Sequence, residues 1–185
     1  MNNPIQILRE KIEDNTSWQK NIRLKRNEYL VVGGQVNSNL FLVESGCLRI
    51  FVLDEHDDHT IRFGYKNDVI TALDSFLTGK PTKLYIQALK ATRLISIEKK
   101  YFSAFINESE QNKSVWITIL ESFVVQQMER EQDILISSPQ ERFKRILERS
   151  PHLFQEVPDK YIASYLRMTP ETFSRIKKSY FESRF

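Results

Sequence analysis

Two hydrophobic periods divide this 185-residue chain. Ile5, Leu8 and Ile12 recur at helical spacing and predict a short helix over residues 4–13. Over residues 18–98 the apolar positions come instead in short β-branched and aromatic runs between turn formers. The run NIRLKRNEYLVVGG predicts two strands with a turn near residues 26–27, closed by Gly33 and Gly34. NLFLVESGCLRIFVLDEHDDHTIRFGY predicts strands at 39–43, 47–53 and 59–65, with turns at 44–46 and 54–58. KLYIQALKATRLISIEK adds strands at 83–89 and 93–98. Between them, DVITALDSFLTGKPT reads as a short helical or coiled crossing ended by Gly79 and Pro81. Short strands at this spacing predict a sandwich or jelly roll.

The period then changes. Residues 99–106 suit a short helix, and 114–136 a long one, with Val115, Trp116, Ile119, Leu120, Phe123 and Val124 on its apolar side. At about 1.5 Å per residue such a helix is roughly 30 Å long, more than a compact β domain covers. It is therefore expected to pack against its own copy, with Trp116, Leu120 and Phe123 as the dimer face. The alternative is that it lies across the sandwich. Ser138, Pro139 and Glu141 then supply an N-cap, an N1 proline and a first-turn acid for a helix ending near residue 150, before Pro151.

The stretch VPDKYIASYLRMTPETFSRIKK, residues 157–178, carries the functional signal. Ile162, Leu166, Met168, Phe173 and Ile176 fall inward on two short helices, and the small Ala163 sits where the helices press together. Thr169 and Pro170 start the second helix as N-cap and N1, with Glu171 in its first turn. Helix, short turn and helix make a helix-turn-helix. The second helix exposes Thr172, Ser174 and Arg175 near its start and Lys177 and Lys178 beyond. Hydrogen-bonding groups at a recognition helix N-terminus meet base edges, and flanking cations meet phosphates. Double-stranded DNA is the expected partner. An ordinary helical hairpin is the competing reading.

Charge agrees. Residues 138–185 hold ten Lys/Arg against six Asp/Glu, a local excess of +4 on a chain whose net charge is only +3. The excess sits in the last quarter, as for a small nucleic-acid-binding unit on a neutral body. No apolar run is long enough for a transmembrane helix, so no membrane partner is expected. The start MNNPIQILREKIEDN does not have the pattern of a signal peptide. The lone Cys47 has no disulfide partner in the chain and reads as core filling, which makes a cytoplasmic setting the expectation.

With these residues in place the chain resembles the Crp/Fnr (cyclic-AMP receptor protein) superfamily of bacterial transcription regulators over essentially its whole length. The resemblance rests on GGQVNSNLFLVESGCLRIF, on FGYKNDVITALDSFLTGKPTKLYIQALKATRLISI, on the long helix and on IASYLRMTPETFSRIKK. It implies an α+β fold in three parts. A cyclic-nucleotide-binding-like double-stranded β-helix spans 1–113, a dimerising connector helix 114–137 and a helix-turn-helix domain 138–185. It also implies that Glu171 accepts from a cytosine and Arg175 reaches a guanine. Pro170 replaces the family's first base-reading arginine, so the target should differ from the cyclic-AMP receptor's.

Three departures qualify the resemblance. Nucleotide-binding members carry a Gly-Glu pair and an Arg-Ser pair around the cyclic phosphate. The corresponding stretches here read Thr71, Ala72 and Leu73, then Thr82 and Lys83. An effector pocket is placed at Thr71, Leu73, Thr82 and Lys83. A response to cyclic AMP is not expected, because a buried phosphate needs paired donors; another small-molecule effector remains open. Arg167 stands in the turn where glycine is usual. The chain ends seven residues after Lys178, leaving no room for the family's β-hairpin wing, and SYFESRF is expected to extend the helix or pack beneath it.

An iron–sulfur cluster of the Fnr kind needs four thiolates, and no cofactor is expected. A cupin-like metal site at His56 and His59 would sit on a solvated hairpin tip, so neither metal nor enzyme is expected. No P-loop, GxGxxG or Ser-His-Asp set is present. A sensor or interaction module of the same fold with weak DNA binding is the alternative function.

Overall fold

The structure, a computed structural model, describes residues 6, 8–10, 18–55 and 57–182. Residues 6 and 8–10 are helical; Ile5 and Ile12 of the expected first helix lie outside the described residues, as does His56. The β region holds β1 (Gln19–Leu24), β2 (Tyr29–Val31), β3 (Leu40–Ser45), β4 (Cys47–Leu53), β5 (Asp58–Tyr65), β6 (Val69–Ile70), β7 (Tyr85–Ala88) and β8 (Thr92–Ile97). They form two antiparallel four-stranded sheets, ordered β1-β8-β3-β6 and β2-β7-β4-β5. The α+β architecture is that of a jelly-roll domain followed by a long helix and further helices.

Strand β3 explains the layering. Its residues Leu40, Phe41, Leu42 and Val43 are all buried, so neither face meets water. Phe41 and Val43 join Leu48, Ile50, Ile70, Ile86 and Leu94 between the sheets. Leu40 and Leu42, with Ile95 and Ile97 of β8, turn the other way, onto α2 (Lys99–Asn107) and α3 (Glu110–Leu135). The continuous run LFLV is thus a doubly covered strand, which alternation alone does not reveal. At the β3–β4 turn Gly46 has φ of 105°, and a Cβ there would lie 2.3 Å from the Thr92 hydroxyl.

The crossing after β6 contains a helix, α1 (Leu73–Thr78), stopped by Gly79 at φ 70°. Strand β7 is shorter than expected and leaves Lys83 in the loop before it. The long helix begins at Glu110 rather than Ser114, because Ser109 caps it by accepting from the Asn112 amide at 3.1 Å. Trp116, Leu120 and Phe123 differ from the sequence expectation: all three pack onto the chain's own core, Trp116 with its ring 4.9 Å from Phe102. The side facing solvent carries Ile117, Val124, Met128 and Leu135, with Val124 58% and Met128 55% exposed. The reason is register. The β domain takes the stripe one position away from the one that stays open.

Helix α3 is tied to the C-terminal helices by Asp133, which is fully buried. Its carboxylate accepts from Arg145 Nε at 3.0 Å and pairs with Arg149, both on α4 (Pro139–Arg149). A short helix, α5 (Leu153–Glu156), precedes α6 (Asp159–Tyr165) and α7 (Pro170–Glu182). Ser179 to Glu182 continue α7, so the described part of the tail extends this helix. Phe143, Ile146, Ile162, Ala163, Leu166, Phe173 and Ile176 make the core of this region, which Cys47, Phe63 and Leu89 of the β domain join. Burial pushes the Cys47 thiol up to about 12, consistent with core filling rather than reactivity.

Candidate nucleic-acid interface and effector region

Helix α6 ends because the backbone turns over at Arg167, whose φ is 55°. A left-handed residue with a side chain costs roughly 1–2 kcal/mol, and hydrogen bonds hold it: Met168 N donates to Ala163 O at 2.9 Å and Leu166 N to Ile162 O at 2.9 Å. Ala163 is completely buried at the helix crossing. Helix α7 then starts on Thr169, whose hydroxyl accepts from the Thr172 amide at 3.2 Å. These are the cap and turn of a helix-turn-helix.

With Phe173 and Ile176 buried, α7 presents Glu171, Ser174, Arg175 and Lys178 to solvent, with Thr172 half-buried beside them. The Glu171 carboxyl is held below its ordinary value by its own backbone N–H and by the Thr169 hydroxyl, so it is ionised and an acceptor. Lys177 is placed differently from its neighbours. It bonds both carboxylate oxygens of Asp159, at 2.8 and 2.9 Å, and clamps α7 to the start of α6. Among the described residues Lys178 meets Glu182, at 3.7 Å on the open surface.

The helix pair rests against the β4–β5 hairpin, a contact absent from the sequence reading. Arg49, 1% exposed, donates from Nε to the Thr60 hydroxyl at 2.7 Å and makes a two-pronged pair with Asp58, 2.9 Å for Nη1. Its guanidinium lies between two rings, 4.3 Å from Phe51 and 4.2 Å from Tyr161 of α6. Ser164 of α6 accepts from Thr60 N and donates to Asp58 O, each at 3.0 Å. Arg130 of α3 donates to Thr60 O at 2.9 Å. His59 pairs with Asp54, and its Nδ1 lies 3.1 Å from Arg167 Nη1, so this imidazole serves the hairpin. One signal for this contact was in the sequence: a single arginine inside the otherwise apolar strand CLRIFVL, with an acidic hairpin to follow.

The four effector-pocket residues divide into two pairs. Thr71 and Leu73 line a cavity of about 860 Å³ between β5, β6, α3 and the C-terminal helices. Thr82 and Lys83 do not. The Thr82 hydroxyl donates to Asp74 Oδ1 at 2.7 Å and the Lys83 amide to Asp74 Oδ2 at 3.1 Å, while the Lys83 side chain is exposed. Asp74, missed by sequence reasoning, thus uses up the loop's donors from within. Among the described residues no cluster of three His, Cys, Asp or Glu side chains comes together as a metal site. Among the described residues no helix is long and apolar enough to cross a membrane.

Residues 21–109 match the family model described as "Cyclic nucleotide-binding domain". Among solved structures, FixK2 from Bradyrhizobium japonicum superposes with a TM-score of 0.76 at 15% identity, covering 89% of this chain and 85% of that one. CooA from Carboxydothermus hydrogenoformans, in a mutant form, gives 0.73 at 16%, covering 90% and 78%. A putative transcriptional regulator of the crp/fnr family from Eubacterium rectale gives 0.69 at 19%, covering 100% and 85%. At such identity the likeness establishes the fold. No curated protein matches the sequence.

Removing Arg49 tests the hairpin contact. Arg49→Ala leaves the Asp58 carboxylate and Thr60 hydroxyl without their donor and is expected to cost about 2–4 kcal/mol near neutral pH. The Arg49 hydrogen bond holds the Asp58 carboxyl below its ordinary value. The pair therefore contributes fully above the unfolded-state value near about 4, and its contribution is lost as pH falls through the folded-state value. Urea unfolding across that range should show the gap between wild type and variant narrowing in acid. A gap that widens there rules out the ion pair as its source.

Proposed function

We propose that this chain, which has the Crp/Fnr fold with a cyclic-nucleotide-binding-type domain at residues 21–109, is a sequence-specific DNA-binding transcription regulator working as a cytoplasmic homodimer. The observation that carries this is the capped helix α7, with Glu171, Ser174 and Arg175 turned outward around its first turns and Lys178 behind them. Such a helix enters a major groove. Its acid accepts from a cytosine amino group and its arginine donates to guanine O6 and N7. Thr169 and Thr172, at the helix end, face the sugar-phosphate chain. Lys177 acts at one remove, by fixing α7 on α6 through Asp159.

Two recognition helices about 34 Å apart read an inverted repeat, which requires a two-fold dimer. Ile117, Val124, Met128 and Leu135 suit that dimer, because they form the open stripe of α3 at heptad-compatible spacing. The domain at 21–109 is read as unresponsive to cyclic AMP: Leu73 offers no carboxylate to a ribose, and Asp74 stands where the Thr82 and Lys83 donors would meet a phosphate. Its regulation then falls to another small molecule.

Calorimetric titration with cyclic AMP is expected to show no binding in the micromolar range, since loss of charge pairing to a desolvated phosphate moves micromolar affinity to roughly millimolar. A dissociation constant of a few micromolar reverses that reading of the loop.

The dimer face is tested by Val124→Glu with Met128→Glu, both at exposed positions. Analytical ultracentrifugation should show wild-type dimers and variant monomers whose near-ultraviolet circular dichroism is unchanged. A wild type that sediments as a monomer at about micromolar concentration defeats the dimer reading.

Recognition is tested on the operator obtained by sequencing host DNA fragments retained by the protein. Arg175→Ala should weaken operator binding by about 1–3 kcal/mol and relax one base position. Lys178→Ala should weaken all duplexes alike and flatten the salt dependence by about one unit per half-site. Equal losses on operator and random DNA for Arg175→Ala would show that α7 does not read bases.

A further inference from the structure

The turn of the helix-turn-helix keeps a charged side chain where the backbone favours none. Arg167 has φ of 55°, and the other described residues with positive φ are two asparagines and three glycines, the types that adopt this region most readily. Strain of this kind persists where the surrounding structure has a use for the residue. The Arg167 side chain is exposed, and among the described residues its guanidinium has no carboxylate partner. Its partner is an imidazole instead: Nη1 lies 3.1 Å from Nδ1 of His59, on the β4–β5 hairpin. Behind it stands a second cation. Burial pushes the basicity of Arg130 on α3 down, and the charge of Arg167 acts in the same direction.

The contact fixes the protonation of the ring. A guanidinium only donates, so His59 Nδ1 accepts and carries no hydrogen. The imidazole is therefore neutral, with its hydrogen on Nε2, which donates to the Asp54 carboxylate. The charged groups around it are Asp54 in the hairpin turn, Asp58 on its own strand and Arg167, with Arg130 behind Arg167. Asp58 is engaged by Arg49 and lies near Lys160 of α6, while Asp54 also accepts from the Asp57 amide at 2.9 Å. A proton added to Nδ1 leaves the ring with donors at both nitrogens. The ring then keeps Asp54 as an ion pair and meets Arg167 with like charge, so the guanidinium leaves.

We propose that Arg167 is a phosphate-binding residue of the helix-turn-helix that neutral His59 holds in reserve, and that protonation of His59 releases it to the DNA backbone. This rests on the DNA-binding reading of α7. Arg167 stands two residues before Thr169, the cap of α7, and so belongs to the end of the helix that meets the sugar-phosphate chain. A phosphate offers the paired oxygens that a guanidinium fork matches, and it gives two neighbouring cations a counter-charge. The contact carries no sequence information, because phosphates are alike at every base pair.

Imidazole nitrogen NMR of the full chain without DNA tests the reserve contact. At about pH 8.5 His59 is expected as the Nε2–H tautomer, with an Nδ1 signal that moves on Arg167→Gly. An Nδ1–H tautomer overturns the contact. Binding is read by fluorescence anisotropy on a random-sequence duplex of about 30 base pairs. Arg167→Gly removes the side chain and the backbone strain together, so its thermal midpoint should equal or exceed that of the wild type. Its duplex affinity should nevertheless fall about three- to tenfold, with the salt dependence flattened by about one unit per half-site. From about pH 8 to about pH 5.5 the wild type should gain at least about threefold more affinity than Arg167→Gly or His59→Phe. Unchanged affinity in Arg167→Gly, or the same acid gain in all three proteins, overturns the proposal and leaves the reading of α7 standing. A wild type that retains no duplex removes that reading and the proposal with it.

Discussion

The molecule is organised around a guanidinium that water does not reach. Arg49 sits in the middle of β4, on a strand whose neighbours Leu48, Ile50 and Phe51 are all core. An arginine there is tolerated only if every face of its charge is answered, and it is: Asp58 and Thr60 accept its hydrogen bonds and the Phe51 and Tyr161 rings lie against its guanidinium. Tyr161 is the decisive partner because it comes from α6. The solvation of a β-strand residue is thereby completed by the first helix of the helix-turn-helix, and the two halves of the chain are joined by a requirement of desolvation.

Cations in the C-terminal quarter need sorting by that same rule. Its excess of positive charge looks like a nucleic-acid footprint, yet Arg145 and Arg149 answer Asp133 and Lys177 answers Asp159. These residues hold helices at fixed angles. Arg175 and Lys178 lie instead on the exposed side of α7.

What could be read from the sequence was local. The caps Ser138 and Thr169, the proline starts and the inward spacing from Ile162 to Ile176 depend on neighbours within a few residues, so the helix-turn-helix was legible down to its turn at Arg167. The β strands were legible as a class for the same reason. The facing of α3 was not. Val124 and Phe123 are equally apolar, and only the position of the β3–β8 sheet decides that Phe123 is covered and Val124 left open. The effector region failed in the same way: Thr82 and Asp74 are eight residues apart, and their hydrogen bond exists because the loop folds back on α1. His59 and Arg167 carry no shared motif, and their contact is a product of tertiary packing.

The β domain and the recognition helix are joined by a short chain of contacts. Strand β5 lines the cavity and, at its start, offers Thr60 and Asp58 to Ser164 of α6. Arg130 belongs to both ends, lining the cavity while bonding Thr60 O. Thr60 is the residue on which Arg49, Arg130 and Ser164 converge. Because this hairpin seats α6, and Lys177 fixes α7 on α6 through Asp159, the orientation of α7 is set from β4 and β5 as well as from the core of the C-terminal helices.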